Sequence, residues 1–155
     1  MLAARWVRVG MALLAVLHGW WGLWALAAPR HFFDTFPGAG RRWTAAYPPF
    51  NEHLVIDLGA TFVTLAFLLG AGAASRSRSA RTVALLTVTL FGALHLAFHA
   101  ADHGLLATTD LVASLIALAL GFLIPVALLV LDRWAPPERA SGARGDADTR
   151  RDAAE

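Results

Sequence analysis

Cysteine and lysine are both absent from this 155-residue chain, and charged residues of any kind are scarce. The lack of cysteine excludes disulfide bonds and thiolate metal sites. Only 15% of the residues are charged, whereas an average soluble domain has about a quarter. Hydrophobic residues make up 57% of the chain, so a surface that faces water on all sides would be hard to build. These shortages favour a membrane protein.

All thirteen basic residues are arginines, and most of them lie at the ends of apolar runs instead of on one basic face. A nucleic-acid-binding protein would gather its arginines into a patch or stripe. We therefore predict no nucleic-acid partner. Arginines at the ends of apolar runs are typical of side chains that contact anionic lipid headgroups, so membrane lipids are the predicted partners.

Four stretches contain the roughly 20 apolar residues that a membrane-spanning helix needs. They cover residues 7–28, 53–74, 82–101 and 110–131. The sequence therefore predicts an all-α fold, a bundle of four transmembrane helices within residues 1–134. Residues 135–155 contain no large apolar side chain and are rich in Gly, Ala, Arg and Asp, which predicts a disordered cytoplasmic tail.

The first stretch has a second interpretation, as a secretory signal peptide. Arg5 and Arg8, the apolar run after them and the Ala-Leu-Ala segment at residues 25–27 resemble such a peptide with its cleavage site. However, residues 18–22 read His-Gly-Trp-Trp-Gly and interrupt the apolar run, and paired tryptophans are typical of an anchor at the membrane interface. We favour a permanent helix, with cleavage as the alternative.

The distribution of arginine also predicts the orientation in the membrane. The N-terminal end, the second loop and the tail carry most of the arginines, and the third loop has none. Because cytoplasmic segments are enriched in basic residues, both termini are predicted to lie in the cytoplasm. Arg30, Arg41 and Arg42 of the first loop oppose this orientation but are outnumbered.

The first loop, residues 29–51, combines aromatic residues with Gly and Pro, a composition that is too aromatic for an extended solvated linker. Its aromatic residues are Phe32, Phe33, Phe36, Trp43, Tyr47 and Phe50. The predicted orientation places the loop outside the cytoplasm. We predict an aromatic belt on the outer membrane surface. The alternative is a lid that closes a site between the helices.

Ionisable residues within the predicted helices are the best indication of function, because they are costly in a membrane and usually face the bundle interior. In the third helix, His95, His99 and His103 recur every fourth residue and therefore share a face. In the second helix, His53 and Asp57 share a face in the same way. Alternating helices run in opposite directions, so both faces occupy the outer leaflet. We predict that they form a pocket open to the outside.

This set of side chains predicts a metal or haem site. Two imidazoles at i and i+4 present two nitrogens to one ion, and a carboxylate from another helix completes a site for zinc, iron or copper. The predicted metal ligands are His53, Asp57, His95, His99 and His103. Haem would need axial histidines from facing helices, for example His53 or His18 opposite His95. His18, which lies nearer the midplane, is the cofactor-binding candidate. His18 could instead bond a neighbouring backbone group.

Two other functions fit the same residues. The first is a membrane enzyme that acts on a lipid or a quinone, in which Asp57 or Glu52 exchanges protons with a histidine. The second is a structural or accessory subunit of a homo-oligomer or larger membrane complex, in which Asp57 pairs with a histidine to join helices. For Glu52 and Asp110 a structural role is favoured, because Asn51 and Thr109 precede them as candidate N-caps and acidic groups in a first turn complement the helix dipole. Whether the protein catalyses any reaction stays open.

One motif resembles a known group of proteins. The segment 47–54, Tyr-Pro-Pro-Phe-Asn-Glu-His-Leu, is followed by Asp57 and Gly59. This motif, the Phe-Pro-Gly at residues 36–38 and the histidine-rich third helix resemble a group of small bacterial, mainly actinobacterial, four-helix membrane proteins. More remotely, the layout is similar to DoxX-like proteins. The resemblance covers the chain up to about Trp134, and it implies a multi-pass protein of the bacterial cytoplasmic (inner) membrane and no particular activity.

Overall fold

The computed structural model of the protein describes residues 2–134; the predicted tail, residues 135–155, lies outside the described residues. The four long helices are α1 (Leu2–Ala27), α3 (Glu52–Ala74), α4 (Arg78–Ala101) and α5 (Thr108–Trp134). Between α1 and α3 lie the short helix α2 (Pro29–Thr35), the strands β1 (Pro37–Gly38) and β2 (Arg41–Arg42), and a 3-10 turn (Thr44–Ala46). The predicted all-α bundle of four long apolar helices is confirmed.

Each of the four long helices is long and apolar enough to cross a membrane. Their outward faces carry large apolar side chains such as Trp6, Leu13, Leu90 and Ile116, all more than half exposed. In water, each exposed apolar surface of this kind would be unfavourable by about 25 cal/mol per Å². The fold therefore supports a multi-pass membrane protein.

The helix ends differ from the prediction where a cap residue was overlooked. Helix α4 begins four residues before the predicted start, because Ser77 is its N-cap and accepts a hydrogen bond from the Ala80 amide at 3.3 Å. The predicted cap of α3 is confirmed, since the Asn51 side chain accepts from the Leu54 amide at 3.2 Å. The predicted cap of α5 is wrong. That helix begins at Thr108, so Thr109 lies inside its first turn.

The long helices pack as a ring. α1 packs most extensively with α3 and α4 with α5, while lighter contacts of α3 with α4 and of α1 with α5 close the ring. The core contains residues of all four helices, including the fully buried Met11, Leu69 and Leu85. Since α1 supplies Met11 and Val7 to this core, the packing of the bundle depends on the helix that could have been read as a signal peptide.

Two glycines allow α1 and α3 to approach each other closely. A Cβ atom on Gly22 would lie 2.8 Å from the Gly59 carbonyl oxygen and 2.8 Å from the Val63 amide nitrogen. A Cβ atom on Gly59 would lie 3.0 Å from the Cβ of Ala25. Small residues at such crossings are typical of membrane helices, whose association depends on close van der Waals packing.

The segment 28–51 folds over one end of the bundle, which we call the capped end. Phe32 is fully buried there, and the other five aromatic rings of the segment are half-buried. The hydroxyl of Thr44 donates to the Phe33 carbonyl at 2.6 Å. Trp43 Nε1 donates to Asp110 Oδ1 at 3.2 Å, and Arg41 forms an ion pair with the same carboxylate. The first loop is therefore a folded cap whose rings pack on the bundle, not a belt of rings spread over the membrane surface.

Candidate functional site at the capped end

Tyr47 joins the cap to the end of α4. Its ring lies 5.1 Å from the His99 ring and 6.2 Å from the Phe98 ring, measured between centroids. Its hydroxyl oxygen lies 2.7 Å from His99 Nδ1, and the hydroxyl donates to the Asp102 carbonyl at 2.9 Å. The hydroxyl has one proton, so when it donates to Asp102 its oxygen accepts from the Nδ1–H of His99.

The connection between α4 and α5 is shaped to receive Tyr47. Asp102 ends α4, and its carboxylate accepts a hydrogen bond from the Gly104 amide at 2.9 Å. Gly104 has a φ of 55°, and a Cβ there would lie 3.0 Å from Tyr47 Cε1 and 2.5 Å from the Ala46 carbonyl oxygen. Leu105 then donates its amide to that same carbonyl at 2.9 Å. Glycine is required here by both the backbone conformation and the close approach of the cap.

Burial, together with the negative charge of Asp102, raises the pKa of the Tyr47 phenol. Both effects disfavour the phenolate, because it is less well solvated in the protein and lies near another anion. Tyr47 is the only tyrosine in the chain. A spectroscopic titration of tyrosinate therefore reports on this residue alone.

We expect the absorbance of tyrosinate to develop with a midpoint above the ordinary phenol pKa of about 10. Because the folded-state pKa is raised, Tyr47 stabilises the fold below the ordinary pKa, and this contribution is lost as pH rises through the raised value. Alkaline titration and thermal unfolding at several pH values measure both effects. The Tyr47→Phe variant should show neither; a midpoint at or below the ordinary value in the wild type would contradict the expectation.

A line of stacked rings runs from the cap toward the core. His95 and His99 are in edge-to-face contact, with 4.7 Å between ring centroids. His95 stacks on Phe91 at 5.3 Å with an angle of 16° between the rings, and Phe91 packs edge-on against Phe62 of α3 at 5.9 Å. By the rise of an α-helix, His95 lies roughly 9 Å from the end of α4. Both imidazoles are half-buried.

His95 differs from most other histidines in how its nitrogens are used. Within residues 2–134, its imidazole makes the two ring contacts and no hydrogen bond. The histidines whose imidazoles have a hydrogen-bond or ion-pair partner are His18 (Leu14 backbone carbonyl), His31 (Trp24), His53 (Asp57) and His99 (Tyr47). His103 is exposed beyond the end of α4. His95 is thus a histidine inside a membrane-spanning helix whose two ring nitrogens both lack a hydrogen-bond partner among residues 2–134.

His18 is not positioned as an axial ligand opposite His95. It is buried, and its Nδ1 lies 2.8 Å from the Leu14 carbonyl oxygen of its own helix. Its ring contacts Phe62, which contacts Phe91, which stacks on His95. Two phenylalanine rings therefore occupy the space that a haem between His18 and His95 would need. The alternative that His18 bonds a neighbouring backbone group agrees with its position.

The five predicted metal ligands are not brought together. His53 and Asp57 form a pair on α3, with 3.3 Å between Nε2 and Oδ2 and side chains that are 86% and 60% exposed. His95 and His99 form a second pair on α4. In the part of the chain that the structure describes, no three His, Asp or Glu side chains are grouped to hold a metal ion.

The Asp57 carboxylate pairs within its own helix, so it does not join two helices as the structural alternative required. Glu52 is exposed in the first turn of α3.

An open groove of about 550 Å³ lies beside the hairpin of the cap. Its charged and ionisable lining residues are Arg41, Arg42, His31 and Asp34. However, Arg41 is paired with Asp110, Arg42 donates to the Asp34 carbonyl at 3.0 Å, and Trp24 donates to His31. Since its charged groups are already partnered within the protein, the groove offers little affinity for an anion.

A buried ion pair at the opposite end was not predicted. Arg81 Nε of α4 lies 2.9 Å from Asp132 Oδ1 of α5, and the two side chains are 3% and 2% exposed. Arg81 Nη1 also donates to the carbonyls of Ser75 and Arg76 at 3.4 Å. The signal in the sequence was Asp132, an acid near the end of the last apolar run. Its partner, Arg81, lies at the start of the third apolar run, and composition alone assigned it to lipid headgroups.

Comparisons of the chain with protein-family models, with curated proteins and with solved structures find no match. The resemblance to the small bacterial four-helix group and to DoxX-like proteins stays a prediction.

Proposed function

We propose that the protein is a multi-pass protein of the bacterial cytoplasmic membrane, with both termini in the cytoplasm, that binds a quinone or quinol at His95 and His99. The observation that carries the proposal is the half-buried imidazole of His95, which has no hydrogen-bond partner among residues 2–134 although it lies inside a membrane-spanning helix. A polar group without a partner in an apolar medium is unfavourable by about 2 kcal/mol or more. A lipid-soluble molecule with hydrogen-bonding groups removes that cost.

The surroundings of the two imidazoles favour a ligand with a planar conjugated ring over other polar groups. Phe91 stacks on His95, while Phe98 and Tyr47 border His99. Aromatic rings in such numbers provide surfaces for a planar ring. A quinone carbonyl accepts a hydrogen bond from an imidazole N–H, and a quinol hydroxyl donates one to an imidazole nitrogen. One site of this kind therefore accepts both redox forms.

The site is within reach of the bilayer. Leu94 and Phe98, the neighbours of the two histidines on α4, are 65% and 53% exposed on the outward surface of the helix. A ligand dissolved in the membrane could approach His95 laterally from that surface, without displacing the cap. The cap, held by the Tyr47–His99 contact, would then keep water from the end of the site.

A metal ion at the same histidines has less support. The Nδ1 atom of His99 is engaged by the Tyr47 hydroxyl. The described residues supply no third ligand, and tetrahedral zinc sites take at least three from the protein. Elemental analysis of the purified protein distinguishes the two cases, because stoichiometric metal lost in a His95→Ala, His99→Ala double variant would contradict the quinone proposal.

Binding can be tested with a short-chain benzoquinone and the protein in lipid nanodiscs, monitored by quenching of tryptophan fluorescence. We expect saturable quenching in the wild type. In the His95→Phe variant, which keeps a flat ring against Phe91, we expect affinity to fall about 2- to 10-fold, the effect of losing one hydrogen bond.

The matched control is His103→Ala, which removes an exposed imidazole of the same segment and should leave the affinity unchanged. Thermal unfolding of each variant establishes that the fold is retained. Quenching by the benzoquinone that does not saturate would rule out a quinone site. So would quenching that added phospholipid competes away.

A further inference from the structure

The contacts of the Tyr47 hydroxyl determine which nitrogen of His99 carries a proton. The hydroxyl oxygen lies 2.7 Å from His99 Nδ1 and 2.9 Å from the Asp102 carbonyl oxygen. A carbonyl oxygen can only accept a hydrogen bond, and the hydroxyl has a single proton for the two contacts. Both contacts are therefore hydrogen bonds only if the hydroxyl donates to Asp102 and accepts from an Nδ1–H of His99.

The opposite assignment would leave the contact with Asp102 unfavourable. If the hydroxyl donated to His99 Nδ1, two oxygen atoms would lie 2.9 Å apart with no proton between them, a separation typical of a hydrogen bond. Asp102 also ends α4, and carbonyls in the last turn of a helix have no acceptor role within it. Among residues 2–134, the Tyr47 hydroxyl is the group that donates to the Asp102 carbonyl.

The second nitrogen of His99 is consequently an acceptor. A neutral imidazole with its proton on Nδ1 has a lone pair on Nε2. Within residues 2–134 this Nε2 has no hydrogen-bond partner, so the lone pair is left for a ligand. His95 differs, because neither of its nitrogens has a partner in the same part of the chain, and it can take either tautomer. A ligand therefore meets an acceptor at His99 and either a donor or an acceptor at His95.

We propose that Tyr47 is a positioning residue that makes the site at His95 and His99 selective for the quinol, the reduced form of the ligand. This inference rests on the proposed function and names the redox form that the site prefers. A quinol hydroxyl can donate to His99 Nε2 and accept from His95. A quinone carbonyl has no proton to donate and would set its lone pairs against that of Nε2. Quinone then binds through His95 alone, and quinol binds through both imidazoles.

The tautomer of His99 can be measured without any ligand. In protein labelled with ¹⁵N at histidine, the chemical shifts of the ring nitrogens distinguish Nδ1–H from Nε2–H, and the loss of signals in His99→Gln assigns them. We expect Nδ1–H in the wild type. We expect a mixture of tautomers in Tyr47→Phe, which keeps a ring beside Phe98 but removes the hydroxyl. A neutral His99 with its proton on Nε2 in the wild type would overturn the proposal.

Selectivity can be measured by competition in lipid nanodiscs under anaerobic conditions. A short-chain benzoquinone quenches tryptophan fluorescence, and the corresponding quinol displaces it. We expect the wild type to bind the quinol about 3- to 10-fold more tightly than the quinone, the effect of one additional hydrogen bond. In Tyr47→Phe, His99 can take the other tautomer, so affinity for the quinone should rise and the preference should disappear. A merely structural role of Tyr47 would instead lower both affinities.

Two further variants separate the tautomer from the stability of the cap. Thr44→Val removes a hydroxyl that bonds within the cap, to the Phe33 carbonyl, and should keep the preference for quinol. His99→Gln retains Tyr47 and should lose the preference, because a side-chain amide can donate or accept.

The outcomes distinguish this inference from the proposed function. Equal affinity of the wild type for the two redox forms would overturn the inference and leave the proposed function standing. A preference that both Tyr47→Phe and His99→Gln retain would do the same. If neither form binds saturably, the inference and the proposed function both fail.

Discussion

Replacing Asp132 with alanine is expected to lower the free energy of unfolding by about 3 to 5 kcal/mol, because it leaves the Arg81 guanidinium buried without its counter-charge. Both side chains are almost completely inaccessible to solvent, and their nearest atoms are 2.9 Å apart. The carbonyls of Ser75 and Arg76 continue to accept from Arg81, but neutral dipoles do not replace a carboxylate. Thermal or denaturant unfolding in detergent measures the loss.

The helix dipoles make the two charges more dependent on each other. Arg81 lies near the N-terminus of α4 and Asp132 near the C-terminus of α5, the helix ends that disfavour a cation and an anion respectively. Each charge is therefore stabilised chiefly by the other. Replacing both residues with apolar residues of similar size, Arg81→Met with Asp132→Leu, should recover most of the stability lost in the single variant.

The control is an ion pair on the surface of the cap. Arg30 lies 2.7 Å from Asp34, but its side chain is 68% exposed, so Arg30→Ala should lower the free energy of unfolding by less than about 1 kcal/mol. If Asp132→Ala proves as mild as Arg30→Ala, the buried pair does not stabilise the bundle as described.

Replacing Gly22 with alanine is expected to lower the free energy of unfolding by about 1 to 3 kcal/mol, the usual cost of overpacking a tight contact. The added Cβ would lie 2.8 Å from two backbone atoms of α3, the Gly59 carbonyl oxygen and the Val63 amide nitrogen. Backbone atoms cannot move aside as a flexible side chain can, so the two helices must separate. Unfolding in detergent measures the effect.

A matched glycine occurs on α5, where a Cβ on Gly121 would meet nothing within 4 Å. Gly121→Ala should therefore be neutral, or stabilising by up to about 1 kcal/mol through its higher helix propensity. A loss of stability in Gly121→Ala equal to that in Gly22→Ala would show that the cost is not specific to the α1–α3 contact.

Features that depend on neighbouring residues in the chain were predictable. The four helices follow from the length of the apolar runs, and Asn51 could be identified as a cap because capping depends on a polar side chain three residues before the amide it bonds. The pairs His53–Asp57 and His95–His99 follow from the four-residue spacing of a helical face. The start of α4 was missed because Ser77 lies in an arginine-rich segment that hydropathy alone excludes from a helix.

The sequence by itself determined how many long helices form, roughly where they lie and which side chains share one helical face, because these depend on local periodicity and apolar length. Only the tertiary structure decided which faces meet: Tyr47 with His99, Arg81 with Asp132, and Gly22 with Gly59. Each of these contacts joins residues far apart in the chain, and each depends on how a helix is rotated about its axis and where it crosses its neighbour. Rotation and crossing result from the packing of all four helices together, so the predicted histidine faces formed separate pairs and not one metal site.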